Sequence, residues 1–466
     1  MTKFADDFLW GVASSAYQIE GASSPEERGA SVWDAFCLRE DKIREGHTGY
    51  RGCEHVKHYQ DDVSLIADSG ARAYRFSVSW PRVLPDGRGE INEPGLAFYD
   101  QLVDALLEKN VEPWITLFHW DFPLKLYQLG GWLNRDSAQW FADYAEIVVD
   151  RLSDRVDKWI TLNEPQIFLG LGHYQGKHAP GVYFSRSELL LATHHALLAH
   201  GLSVQAIRAV AKKTPTIGWS PVGWVSYPAT NDEKDIEEAR QQMFAINIDR
   251  KREWPLNNCW YSDAVVLGHY PEQGLEAFGE DVPEILSGDM ETIAQPIDFY
   301  GVNIYHGNPV TFPINCDGKL MPPRNRTPGH PETLMGWSVD PEALYWGPKF
   351  LYERYNLPIY ITENGIAGMD WVHADGEVHD PQRIDYLTRH LTQLNKAAEE
   401  GVDIRGYFQW SIMDNFEWEL GYSKRFGLTY VDYETMQRIP KDSYRWYQEV
   451  IKSNGDCLPT ECQRLR

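Results

Sequence analysis

Eight short runs of β-branched and aromatic residues alternate along this chain with stretches patterned for amphipathic helix, and that recurrence limits the fold more than any other feature. The runs are Phe8 to Ala13, Ala73 to Val78, Glu112 to Phe118, Lys158 to Leu162, Thr216 to Trp219, Asp298 to Ile304, Pro358 to Thr362 and Gly406 to Trp410. Between the second and third, Leu96, Tyr99, Leu102, Val103, Leu106 and Leu107 recur at helical spacing. Another helix is predicted from about Ser137 to Leu152, with Trp140, Phe141, Tyr144, Ile147 and Val148 on one face. A third is predicted over about Gln382 to Glu400, stopping at Gly401, a residue common just past a helix end. Strands alternating with helices imply a parallel sheet. Eight such units predict an α/β fold closed into a (β/α)8 TIM barrel with elaborated βα loops. An open doubly wound sheet would favour a Gly-rich phosphate loop after the first strand, and no GxGxxG stands there.

The chain has 466 residues, long for one domain but ordinary for a barrel. No Gly/Ser or Pro-rich linker divides it, so residues 1–466 are expected to form a single catalytic barrel domain. The formal net charge of -24 argues against nucleic acid as a partner. No apolar run approaches the ~20 residues needed to span a bilayer, so no membrane partner is expected. The segment Met1 to Asp7 is polar, with no basic-then-apolar signal pattern, and a cytoplasmic location is expected. Cys37, Cys53, Cys259, Cys316, Cys457 and Cys462 are sparse and form no CxxC pair, which reads as reduced thiols, although Cys457 and Cys462 are close enough in sequence to bridge. The 18 Trp and 25 Tyr fit either core or platforms for flat sugar faces, and composition does not choose between them.

Polar and aromatic groups gather where the strand runs end: Gln18, Arg75, His119, Asn163, Glu164, Asn303, Tyr305, Glu363, Asn364 and Trp410. Barrel enzymes place their sites at that C-terminal rim. Two acids stand out. Glu164 follows Trp159-Ile160-Thr161-Leu162-Asn163, and Glu363 follows Ile359-Tyr360-Ile361-Thr362. Each is expected immediately after an apolar strand, the fourth and the seventh, so that the two can face one another across the pocket. A lone Glu at a strand end reads as a cap or a surface acid. Two in such similar settings read as a catalytic pair, one protonated to release a leaving oxygen and one ionised to attack an anomeric carbon. Proximity raises the proton affinity of one member. A divalent metal between them is disfavoured by Pro165 and by the lack of further acids beside either.

At these residues the chain resembles glycoside hydrolase family 1, the β-glucosidase family. The resemblance spans Phe8 to Asn454. It is carried by Phe8-Leu9-Trp10-Gly11-Val12-Ala13 on to Tyr17-Gln18-Ile19-Glu20-Gly21, by Asn163-Glu164-Pro165, by Ile361-Thr362-Glu363-Asn364-Gly365, and by Trp410-Ser411 through Asn415-Phe416-Glu417-Trp418 to Lys424-Arg425-Phe426-Gly427. It implies that Glu363 is the nucleophile and Glu164 the acid/base. It implies that Asn163 holds a sugar hydroxyl, and that Arg75 and Tyr305 orient Glu363. Gln18, His119, Glu417 and Trp418 would hydrogen-bond the non-reducing sugar, with Trp410 as floor and Trp337 as platform for the leaving group. Read singly, His119 fits a core histidine, Trp410 barrel filling, Glu417 an exposed helix acid and Asn163 a helix cap. His194, His195 and His200 lie in a predicted helix and read as structural. One departure is Leu124, where the family often has Gln.

The implied activity is retaining hydrolysis of terminal β-D-glucosyl residues, with galactosyl and fucosyl residues accepted as well. The implied partner is a β-glucoside or cello-oligosaccharide, and no cofactor or metal is expected. A 6-phospho-β-glycosidase is the alternative, but it would call for a small residue at Glu417, where an acid repels phosphate. A transglycosylase or a non-catalytic sugar-binding member are the other readings; the second loses its main support because both acids are present.

Overall fold

The computed structural model describes residues 3–22, 27–248, 253–316, 319–321, 326 and 328–463. Eight parallel strands close into a barrel. They are β1 (Leu9–Ala13), β2 (Ala73–Ser77), β3 (Glu112–Phe118), β4 (Lys158–Asn163), β5 (Thr216–Ser220), β6 (Phe299–Asn303), β7 (Ile359–Asn364) and β8 (Ile404–Trp410). Each pairs with its sequence neighbour, and β1 pairs with β8 from Leu9↔Gly406 to Ala13↔Trp410 to complete the ring. All eight predicted runs are barrel strands. The ends differ by up to two residues: β7 runs on through Glu363 and Asn364, β8 begins earlier at Ile404, and β1, β2 and β6 are shorter than their apolar runs.

Helices cover the outside: α1 (His55–Asp68), α2 (Glu93–Glu108), α3 (Ser137–Leu152), α4 (Arg186–Val210), α5 (Ala343–Tyr355), α6 (Pro381–Glu399) and α7 (Asp442–Ser453). The β5–β6 connection carries shorter pieces instead. In α3 the predicted face buries Trp140, Phe141, Tyr144 and Val148. Ser185 and Glu188 form a capping box at the start of α4, each satisfying a backbone N–H that the helix leaves orphaned. After α6, Gly401 takes the left-handed φ of +95° that a side chain disfavours. Leu107, placed by spacing on the buried face of α2, is instead 37% exposed. It lies in the last turn of the helix, which ends at Glu108. Among the described residues no helix is long and apolar enough to cross a membrane.

Alternation along the strands divides the core in two. Outward residues pack under the helices in one large cluster. Inward residues Ala73, Trp114, Ile160, Phe299 and Phe408 fill the barrel. Trp114 is its centre, with ring centroids 5.3 Å from Phe299, 5.1 Å from Phe408 and 4.9 Å from Tyr360. Two residues on from Ala73 and from Phe408, the same inward face carries Arg75 and Trp410; four on from Phe299 it carries Asn303. The barrel filling thus gives way to polar groups at the top.

A buried ionic network ties the loops after β7 and β8 to α6 and α7. Lys441 Nζ donates to Asp370 at 2.5 Å and Asp414 at 2.7 Å, while Arg425 donates to Asp414 at 2.7 Å and Arg383 to Asp370 at 2.7 Å. Lys441 and Asp414 are fully buried, so removing one partner leaves a charge without compensation. Asp414→Ala is expected to destabilise the fold by about 3–5 kcal/mol, read as a lower urea midpoint. An unchanged midpoint would show that the remaining charges rearrange without loss.

Candidate active site

At the C-terminal end of the barrel, β4 and β7 both break register. The β4–β5 ladder shifts between Ile160 and Asn163, and both ladders of β7 shift just after Ile361. Such bulges re-aim a side chain relative to strict alternation. Glu363 therefore sits within β7 and not after it, contrary to the expectation from the apolar run. Asn364 fixes this strand end by donating to the Ile304 carbonyl at 2.7 Å and accepting from Tyr407 Oη at 2.8 Å. Glu164 does follow its strand, in a left-handed conformation (φ +48°) that turns the chain straight into the helix starting at Pro165.

Both carboxylates are buried and share one hydrogen-bonded network. Arg75 Nη1 donates to Glu363 Oε1 at 2.6 Å, and Tyr305 Oη donates to Glu363 Oε2 at 2.7 Å. Each oxygen of Glu363 is therefore held by a different donor. Arg75 Nη2 donates to Asn163 Oδ1 at 2.6 Å, and Asn303 Nδ2 donates to the same oxygen at 3.0 Å and to Glu164 Oε1 at 2.9 Å. Glu363 is thus linked to Glu164 through Arg75, Asn163 and Asn303. Because Asn163 Oδ1 faces two donors, its Nδ2 faces His119 Nε2, at 3.2 Å. That nitrogen must accept, so His119 is neutral with its proton on Nδ1. Burial and the Arg75 charge both hold its pKa well below the ordinary value, in agreement.

The two acids differ in what surrounds them. Burial and then the Glu363 charge push the Glu164 carboxyl up to about 8. Burial raises Glu363 as well, but the Arg75 guanidinium and the Tyr305 hydroxyl oppose it. Glu164 is therefore the member that keeps a proton, and Glu363 the member built to carry charge.

The remaining predicted residues surround this pair. Trp410 is buried and lies parallel to His119, with ring centroids 5.7 Å apart and an interplanar angle of 13°. Its neighbourhood is tight, since a Cβ on Gly365 would lie 1.9 Å from the Trp410 carbonyl oxygen. Glu417 is nearly buried, and its Oε2 meets no donor among the described residues. Burial and the charges of Glu419, Glu363 and Glu164 push its carboxyl well above the carboxylate range. Gln18 spends both amide hydrogens on Asn415 Oδ1 (2.9 Å) and the Phe416 carbonyl (2.8 Å), and its oxygen accepts from Ser15. It holds the Asn415–Phe416 backbone, leaving only an oxygen lone pair for a ligand. Trp418 packs against Trp33 at 4.5 Å and Trp120 at 4.4 Å. Trp337 is half-buried, 5.2 Å from the Tyr305 ring.

Three residues at the site carry no role in the sequence reading. Trp120 donates its indole N–H to the Asn163 carbonyl at 3.0 Å. His178 lies against Trp33, Trp120 and Trp418 and pairs with Glu419 at 2.6 Å, joining the β4 and β8 loops. Neither partner of that pair stands beside a strand end, so periodicity offers no pointer to it. His194, His195 and His200 hydrogen-bond to Asp289 and Tyr270, to the Trp132 carbonyl and to Thr161, all away from the carboxylates.

Comparison with known proteins gives a consistent picture. The model of the family described as Glycosyl hydrolase family 1 matches residues 1–456. A 1,4-beta-D-glucan glucohydrolase of Thermotoga neapolitana is 44% identical over 98% of this chain and 99% of its own. A bifunctional beta-D-glucosidase/beta-D-fucosidase of Bifidobacterium breve is 40% identical over 97% of this chain and 99% of its own. A solved beta-glucosidase from Thermotoga maritima in complex with glucoimidazole superposes with a TM-score of 0.87 at 43% identity, covering 98% of this chain and 100% of that one.

The electrostatics predict a coupling between the acids. Glu363→Gln removes a charge that helps hold the Glu164 proton, so Glu164 should titrate below its value of about 8. Carboxyl carbon NMR of glutamate-labelled protein reads this directly. An unmoved titration would mean that burial alone sets it.

Proposed function

The chain belongs to glycosyl hydrolase family 1, and we propose that residues 1–466 act as one catalytic domain of a retaining β-glucosidase that removes terminal non-reducing β-D-glucosyl residues. The observation that carries the reading is the unequal pair: Glu363 clamped by Arg75 and Tyr305, Glu164 given the higher proton affinity. In the first step the Glu363 carboxylate attacks the anomeric carbon while protonated Glu164 gives its proton to the glycosidic oxygen. The carbon–oxygen bond to the leaving group breaks and a glycosyl ester forms. Esterification removes the Glu363 charge, which lowers the proton affinity of the now ionised Glu164. Glu164 then takes a proton from water as that water attacks the same carbon, and the ester bond to Glu363 breaks.

The pocket supports a neutral sugar. Glu417 Oε2 is buried without a protein donor, which suits a sugar hydroxyl as its partner. Glu417 places neither a cation nor a small residue where a phosphate would be received, and Lys424 donates to the Leu334 carbonyl at 2.5 Å. Asn163 Nδ2 has a second hydrogen that meets no acceptor among the described residues, which fits a hydroxyl beside the nucleophile. Trp410 forms the floor, with His119, Gln18 and Trp418 around the sugar ring and Trp337 beside the leaving group. Acceptance of galactosides and fucosides is part of the proposal; the Bifidobacterium relative's two named activities support the fucoside. Cello-oligosaccharides are the proposed natural substrates. A cytoplasmic location is part of the proposal.

Azide rescue separates the two roles on a nitrophenyl β-glucoside. Glu363→Ala is expected to lose on the order of 10⁴-fold or more in kcat, with azide restoring turnover to an α-glucosyl azide. Glu164→Ala is expected to lose on the order of 10²–10⁴-fold in kcat/KM on poor leaving groups, with azide giving the β-glucosyl azide. Exchanged product configurations would reverse the assignment, and wild-type activity in Glu363→Ala would end it.

A further inference from the structure

The loop after β7 holds an exposed aromatic on a rigid support. Trp371 keeps 52% of its surface exposed, between Met369 at 70% and Val372 at 40%. One face of its indole is stacked on His373, with centroids 4.8 Å apart and an interplanar angle of 18°. His373 in turn meets His379 edge-on at 4.9 Å. His379 is fixed at both nitrogens, Nδ1 by Asp442 at 2.6 Å and Nε2 by Asp375 at 2.9 Å. Those carboxylates raise it to about 9, so it remains cationic between them at neutral pH.

The backbone is anchored on both sides of the indole. Asp370, immediately before it, is buried in the network with Arg383 and Lys441. After it, His373 N–H donates to the Glu377 carbonyl at 2.8 Å, closing a turn. A loop so pinned exposes its tryptophan by construction, because neither neighbour leaves slack to fold it inward.

The position of this support matters. Asp442 begins α7, and His379 lies just before α6. Both helices start where β7 and β8 end, which is the barrel face holding Glu363. The loop leaves that face directly: Gly368 pairs with Arg425, and Ala367 packs with Trp410, Phe426 and Trp337 in one cluster. The carboxylates of Asp375, Glu377 and Asp442 beside the indole's support are paired with the cations of His379 and Arg445, so the surroundings are polar and supply acceptors near the ring.

We propose that Trp371, supported by His373 and His379, is a secondary binding platform for the distal sugar units of a neutral β-linked glucan chain, outside the pocket that holds the reacting unit. The inference rests on the β-glucosidase reading for its choice of ligand. A pyranose ring laid on the open indole face gains the apolar contact that the exposed tryptophan lacks.

The test separates chain binding from catalysis. Trp371→Ala and Trp371→Phe are compared with wild type on nitrophenyl β-glucoside, cellobiose and cellohexaose. For Trp371→Ala the KM for cellohexaose should rise by about 2- to 10-fold, with kcat and both short-substrate constants unchanged, and the Phe variant should fall between. In native gels containing hydroxyethylcellulose, Glu363→Gln protein should be retarded and the Glu363→Gln/Trp371→Ala double variant should run free. Equal cellohexaose KM values and equal retardation overturn the platform. Sedimentation of wild type and Trp371→Ala is the third arm: a change in oligomeric state on substitution would make the patch a contact between copies and overturn the glucan assignment. If the wild type hydrolyses no β-glucoside at all, the underlying reading fails instead, while gel retardation still reports on the platform.

Discussion

A guanidinium buried at the mouth of the barrel organises the site. Arg75 is about 1% exposed, and a cation so far from water is tolerated only where anionic or carbonyl groups meet it. It meets Glu363, Asn163 and the Thr362 carbonyl. Each contact orients a group whose direction matters. Glu363 has its carboxylate oriented, Asn163 has its amide turned so that Nδ2 faces His119, and the bulged end of β7 is held closed. The position of Arg75 in turn follows from register, since it continues the inward row begun by Ala73. The reaction therefore depends on strand pairing some distance below it.

Around that one cation the pocket collects carboxyl groups. Glu164, Glu363, Glu417 and Glu419 converge, and their mutual repulsion contributes to raising Glu164 and Glu417. The free protein carries this as a cost of burial that no nearby hydrogen bond fully offsets. In the proposed reaction, a sugar that develops positive charge at its ring is favoured by the ionised Glu363 and by the carboxylate that Glu164 becomes on giving up its proton, because charges fixed in a dry cavity act strongly. Net repulsion in the resting site and attraction for an oxocarbenium-like state are two consequences of one charge distribution.

The strands were legible because burial on both faces writes continuous apolar runs, and the helices because one apolar stripe faces them. The pair Glu164 and Glu363 was legible for the same reason: an acid interrupts an apolar run conspicuously. What periodicity misses is local geometry. The bulge that places Glu363 inside β7 leaves no mark in the hydrophobic pattern, since an extra residue in one strand looks like any other residue. Asn303 reads as a polar strand end, yet its contact with both Asn163 and Glu164 depends on three strands meeting at one height. His178 and Glu419 come from two long loops, and only the folded chain brings them together. Leu107 shows the reverse error, a residue with the right spacing at a helix end that the sheet no longer covers.

Stability and chemistry are kept apart by the barrel's layering. Trp114 and its neighbours fill the interior below the site with close ring contacts, so the upper layer can hold unpaired polar atoms without collapsing. Trp120, Glu164 and Trp418 all adopt left-handed backbone there, a conformation costly for side chains with a Cβ. The ladder is also interrupted at β4 and β7. These local penalties persist only if surrounding structure over-determines them. Two features do so. Lys441, Arg383 and Arg425 lock the β7 and β8 loops to the helices behind them, and Gly365 lets β7 approach the Trp410 backbone closer than any side chain would permit. The glycine and the ionic network, neither of which touches the pair of acids, thus help keep Glu363 and Trp410 in one fixed relation.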